Sequence, residues 1–144
     1  MSGVYLSTCN ASAFAAAAGT QIFPSDVKSG YTAVVVTGDA AISEEFLMYT
    51  DTSCSTLSYS TKDGNDNFTV GDASGENYKV TYTETTFKMM VGTAAAKTWW
   101  EARYTAAGES IDLTVGTELS GSGNGKNYLN LFSVTSTTVQ IGED

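Results

Sequence analysis

Alternation of side chains is the feature of this chain that most constrains its fold. In Tyr78–Thr83, aromatic and β-branched residues occupy one parity and hydrophilic residues occupy the other. A period of two places alternate residues on opposite faces of a half-buried β-strand. Similar runs recur from Tyr31 onward between clusters of Gly, Asp, Asn and Ser. The chain is therefore predicted to be one antiparallel β-structure.

The order of runs and breakers predicts a single domain over residues 1–144, all-β, with about 8–10 strands. Predicted strands include Tyr31–Thr37, Ile42–Asp51, Thr98–Thr105, Ser110–Val115 and Tyr128–Val134. Sequential hairpins favour an up-and-down barrel, because closure removes exposed strand edges. A β-sandwich is the alternative fold.

Breaks in the alternation predict the connections. Ala13–Ala18 has high helix propensity and Gly19 follows it, which predicts a short helix after the first strand. Lys62–Asn67 is predicted as a turn from its composition, and Glu84–Thr85 as a tight corner. Asp63–Asn67 departs from the EF-hand pattern, so no metal site is predicted there.

Charge and composition exclude several functions. The net charge is −9 with only seven basic residues, so a phosphate backbone would be repelled and nucleic-acid binding is not expected. The chain has no histidine, which removes Ser-His and Cys-His catalytic pairs and imidazole metal sites. No apolar run reaches the length of a transmembrane span. No catalytic residue and no cofactor are predicted, and enzymatic activity is the less favoured interpretation.

The two cysteines, Cys9 and Cys54, favour one disulfide. Their polar and small neighbours suit a buried free thiol less well. A bridge indicates an oxidising compartment, so the protein is expected to be secreted, periplasmic or on the cell surface. Two unrelated thiols in a cytosolic protein are the alternative.

The segment Trp99–Tyr104 carries the most distinctive side chains. Taken as a strand, it directs Trp100 and Tyr104 inward and places Glu101 and Arg103 on the other face. For Arg103, stacking on an aromatic ring, contact with an anionic ligand and simple solvation all remain open.

The inward-facing set is predicted to line the barrel, where it either fills the core or forms a ligand wall. The candidate ligand-binding residues are Tyr78, Tyr82, Phe87, Met89, Trp100 and Tyr104.

Short motifs at the start, middle and end of the chain resemble lipocalin-like (calycin) barrels. Gly3-Val4-Tyr5 resembles the Gly-x-Trp opening of that family, with Tyr5 in place of the tryptophan. The segments ending at Cys9 and Cys54, and the final run from Tyr128, are similar to small secreted bacterial lipoprotein domains of this build. The resemblance implies a barrel, a Cys9–Cys54 bridge, an extracytoplasmic setting and an arginine, Arg103, packed on Tyr5.

Three functional hypotheses follow. The first is a non-enzymatic binding protein that holds a small hydrophobic or aromatic ligand in the barrel, with Ala11–Ala18 covering one end. The second is a structural or adhesive subunit with a filled core, in a homo-oligomer or surface assembly. The third is a barrel-type cyclase or isomerase, which would need a carboxyl with a raised pKa inside the cavity.

Overall fold

The structure, a computed structural model, describes residues 2–17, 20–38, 40–75, 77–134 and 139–143. Within these residues the chain forms eight strands and two helices. Their order is β1 (Gly3–Leu6), α1 (Ser12–Ala17), β2 (Ser29–Thr37), β3 (Ala41–Tyr49), β4 (Leu57–Ser74), β5 (Asn77–Val91), α2 (Ala94–Ala106), β6 (Glu118–Ser122), β7 (Asn127–Val134) and β8 (Val139–Glu143).

All the strands belong to one antiparallel sheet. Strands β1 to β5 pair in sequence order. The second edge of β5 pairs with β6 near one end and with β7 near the other, and β8 pairs with β7. The prediction of a largely antiparallel β-structure is confirmed, whereas the expected run of sequential hairpins does not continue beyond β5, because α2 follows β5 and both β6 and β7 pair with β5. No pairing joins β1 to β8 among the residues that the structure describes.

One face of the sheet, here called the inner face, buries two apolar clusters. The first contains Val34, Ile42, Phe68, Val80 and Phe132, with Tyr5 and Tyr82 packed against it. The rings of Phe68 and Phe132 are 5.9 Å apart between centroids, although β5 separates their strands. The inner-face side chains therefore converge over β5.

The second cluster lies nearer the helices. Met89 and Val91 of β5, Tyr59 of β4, Ala96 of α2 and Leu113 are all buried in it. Met89 and Val91 are 1% and 0% exposed, so this end of the inner face is filled by side chains. Helix α2 packs against this second cluster.

Residues Ala94–Ala106 form a helix, so the predicted strand Thr98–Thr105 is wrong. Thr93 caps the helix start, since its side-chain oxygen accepts a hydrogen bond from the Ala96 N–H. Gly108 follows the last turn with a φ of +81°, a conformation that favours glycine. The apparent alternation does not distinguish a strand from a helix here, because residues four apart lie on the same face in both. The signals at the two ends of the segment therefore decide in favour of the helix. The fold is therefore mostly β rather than all-β.

Two other predictions are wrong. Lys62–Asn67 lies inside β4 rather than in a turn, and Glu84–Thr85 lies inside β5 rather than at a corner. The register between these strands shifts at Gly64/Asn65 and again beyond Asp66. Such bulges insert extra residues while the strand continues, so turn-forming residues are accommodated without a reversal.

Two further predictions concern segments next to the helices. Ser110–Val115 is not a strand. The predicted helix after β1 is confirmed as α1, whereas Ala18 and Gly19, its expected end, lie outside the described residues.

The predicted disulfide joins Cys9, just after β1, to Cys54 in the β3–β4 connection. The two Cα atoms are 6.0 Å apart, a normal separation for a bridged pair. The bridge ties the chain before α1 to the connection between β3 and β4.

We expect reduction of this bridge to lower the free energy of unfolding. The two cysteines are 45 positions apart, and closing such a loop restricts the unfolded chain by about 4 kcal/mol. Urea unfolding with and without a thiol reductant measures the effect. A Cys9→Ala/Cys54→Ala double variant should match the reduced protein and no longer respond to reductant. Equal stability of the oxidised and reduced wild type would contradict the expectation.

Candidate functional site

Helix α2 has two different faces. Trp100 and Tyr104, one turn apart, pack with buried Ala96 against the second apolar cluster. The neighbouring face carries Trp99 and Arg103, also one turn apart, among small alanines. The indole N–H of Trp100 is buried and has no hydrogen-bond acceptor among the described residues. One face is thus part of the core, and the other is available to form a surface.

Three contacts hold helix α1 and the residues before it against strand β2. The Asn10 side-chain oxygen accepts the Ala13 N–H at 3.1 Å and so caps the first turn. Asn10 also pairs through its backbone with Gly30 of β2. The ring of Phe14 lies directly over Gly30, where an added Cβ would come within 3.1 Å of it. Glycine at this position permits α1 to approach the sheet.

The segment after α1 is attached to α2 and β4 by one carboxylate. Asp26 accepts a hydrogen bond from the Thr93 hydroxyl at 2.6 Å and one from the Ser58 hydroxyl at 2.9 Å. Ser58 is fully buried, and Thr93 is the residue that caps α2. Asp26 therefore holds residues 20–28 against the start of α2.

A groove of about 820 Å³ lies between these two walls. Here it is called the interhelical groove. Its first wall comprises Phe14, Ala17, Gln21, Phe23, Pro24, Ser25 and Val27, and its second comprises Ala94, Ala95, Thr98, Trp99, Ala102, Arg103 and Ala106. Ligand sites commonly have volumes of about 300–1,000 Å³ and mostly apolar walls. The groove fits that description.

Aromatic rings line both walls of the groove. The Phe14 and Phe23 rings are 4.9 Å apart between centroids on the first wall. On the second wall, the Trp99 N–H donates to the Gln21 carbonyl oxygen at 3.2 Å, and the Trp99 ring is stacked 6.4 Å from that of Tyr59. Trp99 is therefore held by contacts to both the first wall and the sheet.

Arg103 lies over the ring of Trp99, with its guanidinium carbon 4.5 Å from the ring centroid. This is a cation–π geometry. The expectation that Arg103 packs on Tyr5 is wrong, because Tyr5 belongs to the first apolar cluster. Of the three roles left open for Arg103, stacking on an aromatic ring is the one observed.

A polar layer separates the two apolar clusters on the inner face. Glu44 of β3 is in register with Asp63 of β4, so their side chains lie on the same face. Burial, reinforced by the charge of Asp63, raises the pKa of Glu44. Burial and then the charge of Glu84 raise the pKa of Asp63. These carboxyl groups favour the protonated form more than exposed ones do.

Tyrosines complete this layer. Tyr82 accepts a hydrogen bond from the Asn130 amide at 2.5 Å and stacks on Tyr128, 5.5 Å away. Tyr128 donates to Glu84 at 3.1 Å. Burial is the main cause that raises the pKa of Tyr82, and the charge of Glu44 adds to it.

The six residues predicted to bind a ligand are not brought together in one cavity. Tyr82 packs against the first cluster, whereas Phe87, Met89, Trp100 and Tyr104 belong to or pack against the second. Tyr78, near the β4–β5 turn, is 51% exposed. None of the six lines the interhelical groove.

The second-wall residues were not predicted, because a strand over this segment spreads Trp99, Ala102, Arg103 and Ala106 over two faces. The signals were present: Thr93 before three alanines, Lys97 and Glu101 four residues apart, and Gly108 after the last turn. With a helix over this segment, Trp99 and Arg103 fall on one face, separated from Trp100 and Tyr104.

Comparisons with known proteins add no family assignment. No protein-family model and no curated protein matches the chain. The described helices are all too short or too polar to cross a membrane. The described residues contain no group of three or more Cys, Asp or Glu side chains positioned to hold a metal ion.

Replacing Asp26 with alanine should destabilise the protein by about 1–3 kcal/mol, because it leaves the buried Ser58 hydroxyl without its acceptor. Urea unfolding followed by circular dichroism measures the change. Asp72→Ala, at an exposed position in β4, is the matched control and should change stability by less than about 0.5 kcal/mol. If the two variants are equally stable, Asp26 does not hold the wall.

We expect Glu44→Gln to increase stability near neutral pH and to have little effect in acid. A carboxyl whose pKa is raised by folding destabilises the native state when it is charged. Its penalty is absent below its unfolded pKa, near 4.5, and grows as the pH rises through the raised folded value.

Urea unfolding at about pH 7 and about pH 3.5 tests this expectation. Glu45→Gln is the matched control, because Glu45 is adjacent in β3 and points to the opposite face. A gain at both pH values, or the same pattern in the control, would contradict the assignment.

Proposed function

We propose that this protein is an extracytoplasmic, non-enzymatic binding protein that holds a small hydrophobic or aromatic ligand in the interhelical groove. The observation that carries the proposal is the groove itself, about 820 Å³ with Phe14, Phe23 and Trp99 in its walls. Apolar transfer contributes roughly 25 cal/mol for each Å² that a ligand removes from water. Fixed aromatic walls supply that area with little loss of side-chain freedom.

The packing of the inner face favours the interhelical groove, rather than a cavity between the strands, as the place where the ligand binds. Val80, Met89 and Val91 are each at most 1% exposed, and they lie on the inner face of β5. Side chains packed to this degree leave little volume for a guest. The aromatic residues predicted as a ligand wall therefore act mainly as core under this proposal.

The disulfide supports the extracytoplasmic part of the proposal. Bridges of this kind persist in oxidising compartments and are uncommon in the cytosol. Cys9–Cys54 also secures the chain segment that carries α1, so the first wall of the groove depends on it. A secreted, periplasmic or cell-surface location follows from the same argument.

Barrel closure and the likeness to calycin domains are part of the proposal. Tyr5 of β1 and Phe132 of β7 belong to one apolar assembly, although these strands lie far apart along the sheet. A sheet that closes on itself would bury both and would remove its two edges. The Gly3-Val4-Tyr5 opening supports the same interpretation.

A structural or adhesive subunit is the second candidate function. Val4 and Leu6 on the edge strand β1 are 66% and 64% exposed. Exposed apolar residues on a sheet edge favour association between chains. Size-exclusion chromatography of wild type and Val4→Lys distinguishes the candidates, because only an assembling subunit would show large species that the substitution disperses.

An acid–base enzyme is supported less well. Glu44 and Asp63 meet the requirement for an inner-face carboxyl with a raised pKa. Neither of them lines the interhelical groove, where a substrate of useful size would fit.

The two adjacent tryptophans provide the direct test. Trp99 lines the groove, whereas Trp100 packs into the core. Titration with neutral N-phenyl-1-naphthylamine should quench tryptophan emission in Trp100→Phe, which keeps Trp99, and much less in Trp99→Phe. Trp100→Phe also removes a buried N–H that lacks an acceptor, so part of its packing loss is offset.

A substitution that fills the groove provides a second, independent test of ligand binding there. Ala102→Leu places a larger side chain in the groove and should lower probe affinity at least tenfold, about 1.4 kcal/mol. Ala16→Leu is the matched control, an exposed position of α1 that does not line the groove. Quenching through Trp100 alone, or equal affinity in both leucine variants, would refute binding in the groove.

A further inference from the structure

We infer that the ligand of the interhelical groove carries a carboxylate, which binds Arg103, at one end of an apolar body. The inference rests on the proposed function and adds the chemical class of the ligand. Arg103 is the one charged side chain among the residues that line the groove in the described part of the chain. A single cation beside aromatic and alanine walls defines a polar end and an apolar end.

Arg103 is held in place but not neutralised. Its guanidinium stacks on Trp99, which fixes the side chain at the wall. It forms no ion pair with any carboxylate of the described residues, whereas Lys97 pairs with Glu101 on the same helix and Lys88 pairs with Glu118. Stacking leaves the edge of the guanidinium, with its N–H donors, available to a carboxylate.

Local charge outweighs the net charge of the chain at this site. The net charge of −9 repels anions at long range, but salt screens exposed charges beyond about 8 Å at physiological ionic strength. A carboxylate in contact with Arg103 lies well within that distance. Glu101, the acidic residue nearest along α2, is already engaged by Lys97 and by the Leu113 N–H.

Matched ligands test the inference. Isothermal titration compares 2-naphthoate with 2-naphthamide, and dodecanoate with dodecanamide, so that each pair differs mainly in charge. The two pairs distinguish an aromatic acid from a fatty acid. In at least one pair the acid should bind about tenfold more tightly, in line with a charge-assisted hydrogen bond.

Arg103→Gln should bring the ratio of acid to amide affinity close to one, and Arg103→Lys should restore part of it. Lys126→Gln is the control, because it makes the same change in net charge at an exposed position outside the groove. Equal affinity for acid and amide in wild type would overturn the inference while leaving the groove proposal intact. Binding of neither member of either pair would overturn both proposals.

Discussion

The pairing of β4 with β5 is the constraint on which the rest of the structure depends. These two strands are the longest, at 18 and 15 residues. Strand β3 builds outward from β4, and both β6 and β7 build on the free edge of β5. The end of β5 at Val91 sets the position where α2 begins. A one-residue shift in this register would move the inner-face side chains of the shifted strand to the other face.

Bulges allow β4 to continue through residues whose composition is typical of turns. Asn65 is buried, and it lies between two shifts of register. A regular ladder of the same length would keep a strict alternation, whereas each bulge increases the local twist. The polar layer of Glu44, Asp63 and Glu84 lies at this irregular region, between two apolar clusters. The sheet tolerates these carboxyl groups because burial is partial there.

Local sequence determined the strands better than it determined their connections. Alternation and composition predicted β2, β3, β7, α1 and the Cys9–Cys54 bridge, since each depends on residues that are close in sequence or on an oxidising setting. The turn at Lys62–Asn67 was wrong because pairing across β4 and β5 overrides local turn preference. The groove could not be predicted, because its walls are 67 or more positions apart and are joined by tertiary contacts, among them Thr93 to Asp26 and Trp99 to Gln21.

Two attachments convert a β-sheet into a binding site under our proposal. The disulfide and Asn10 fix α1 at the edge of the sheet, and Asp26 fixes the following segment to the start of α2. Both attachments hold the first wall, whereas the second wall is α2 itself, whose Trp100 and Tyr104 pack against the second apolar cluster. The different positions of Trp99 in the groove and Trp100 in the core follow from the geometry of α2. Adjacent residues on a helix point about 100° apart, and that angle separates the groove from the core.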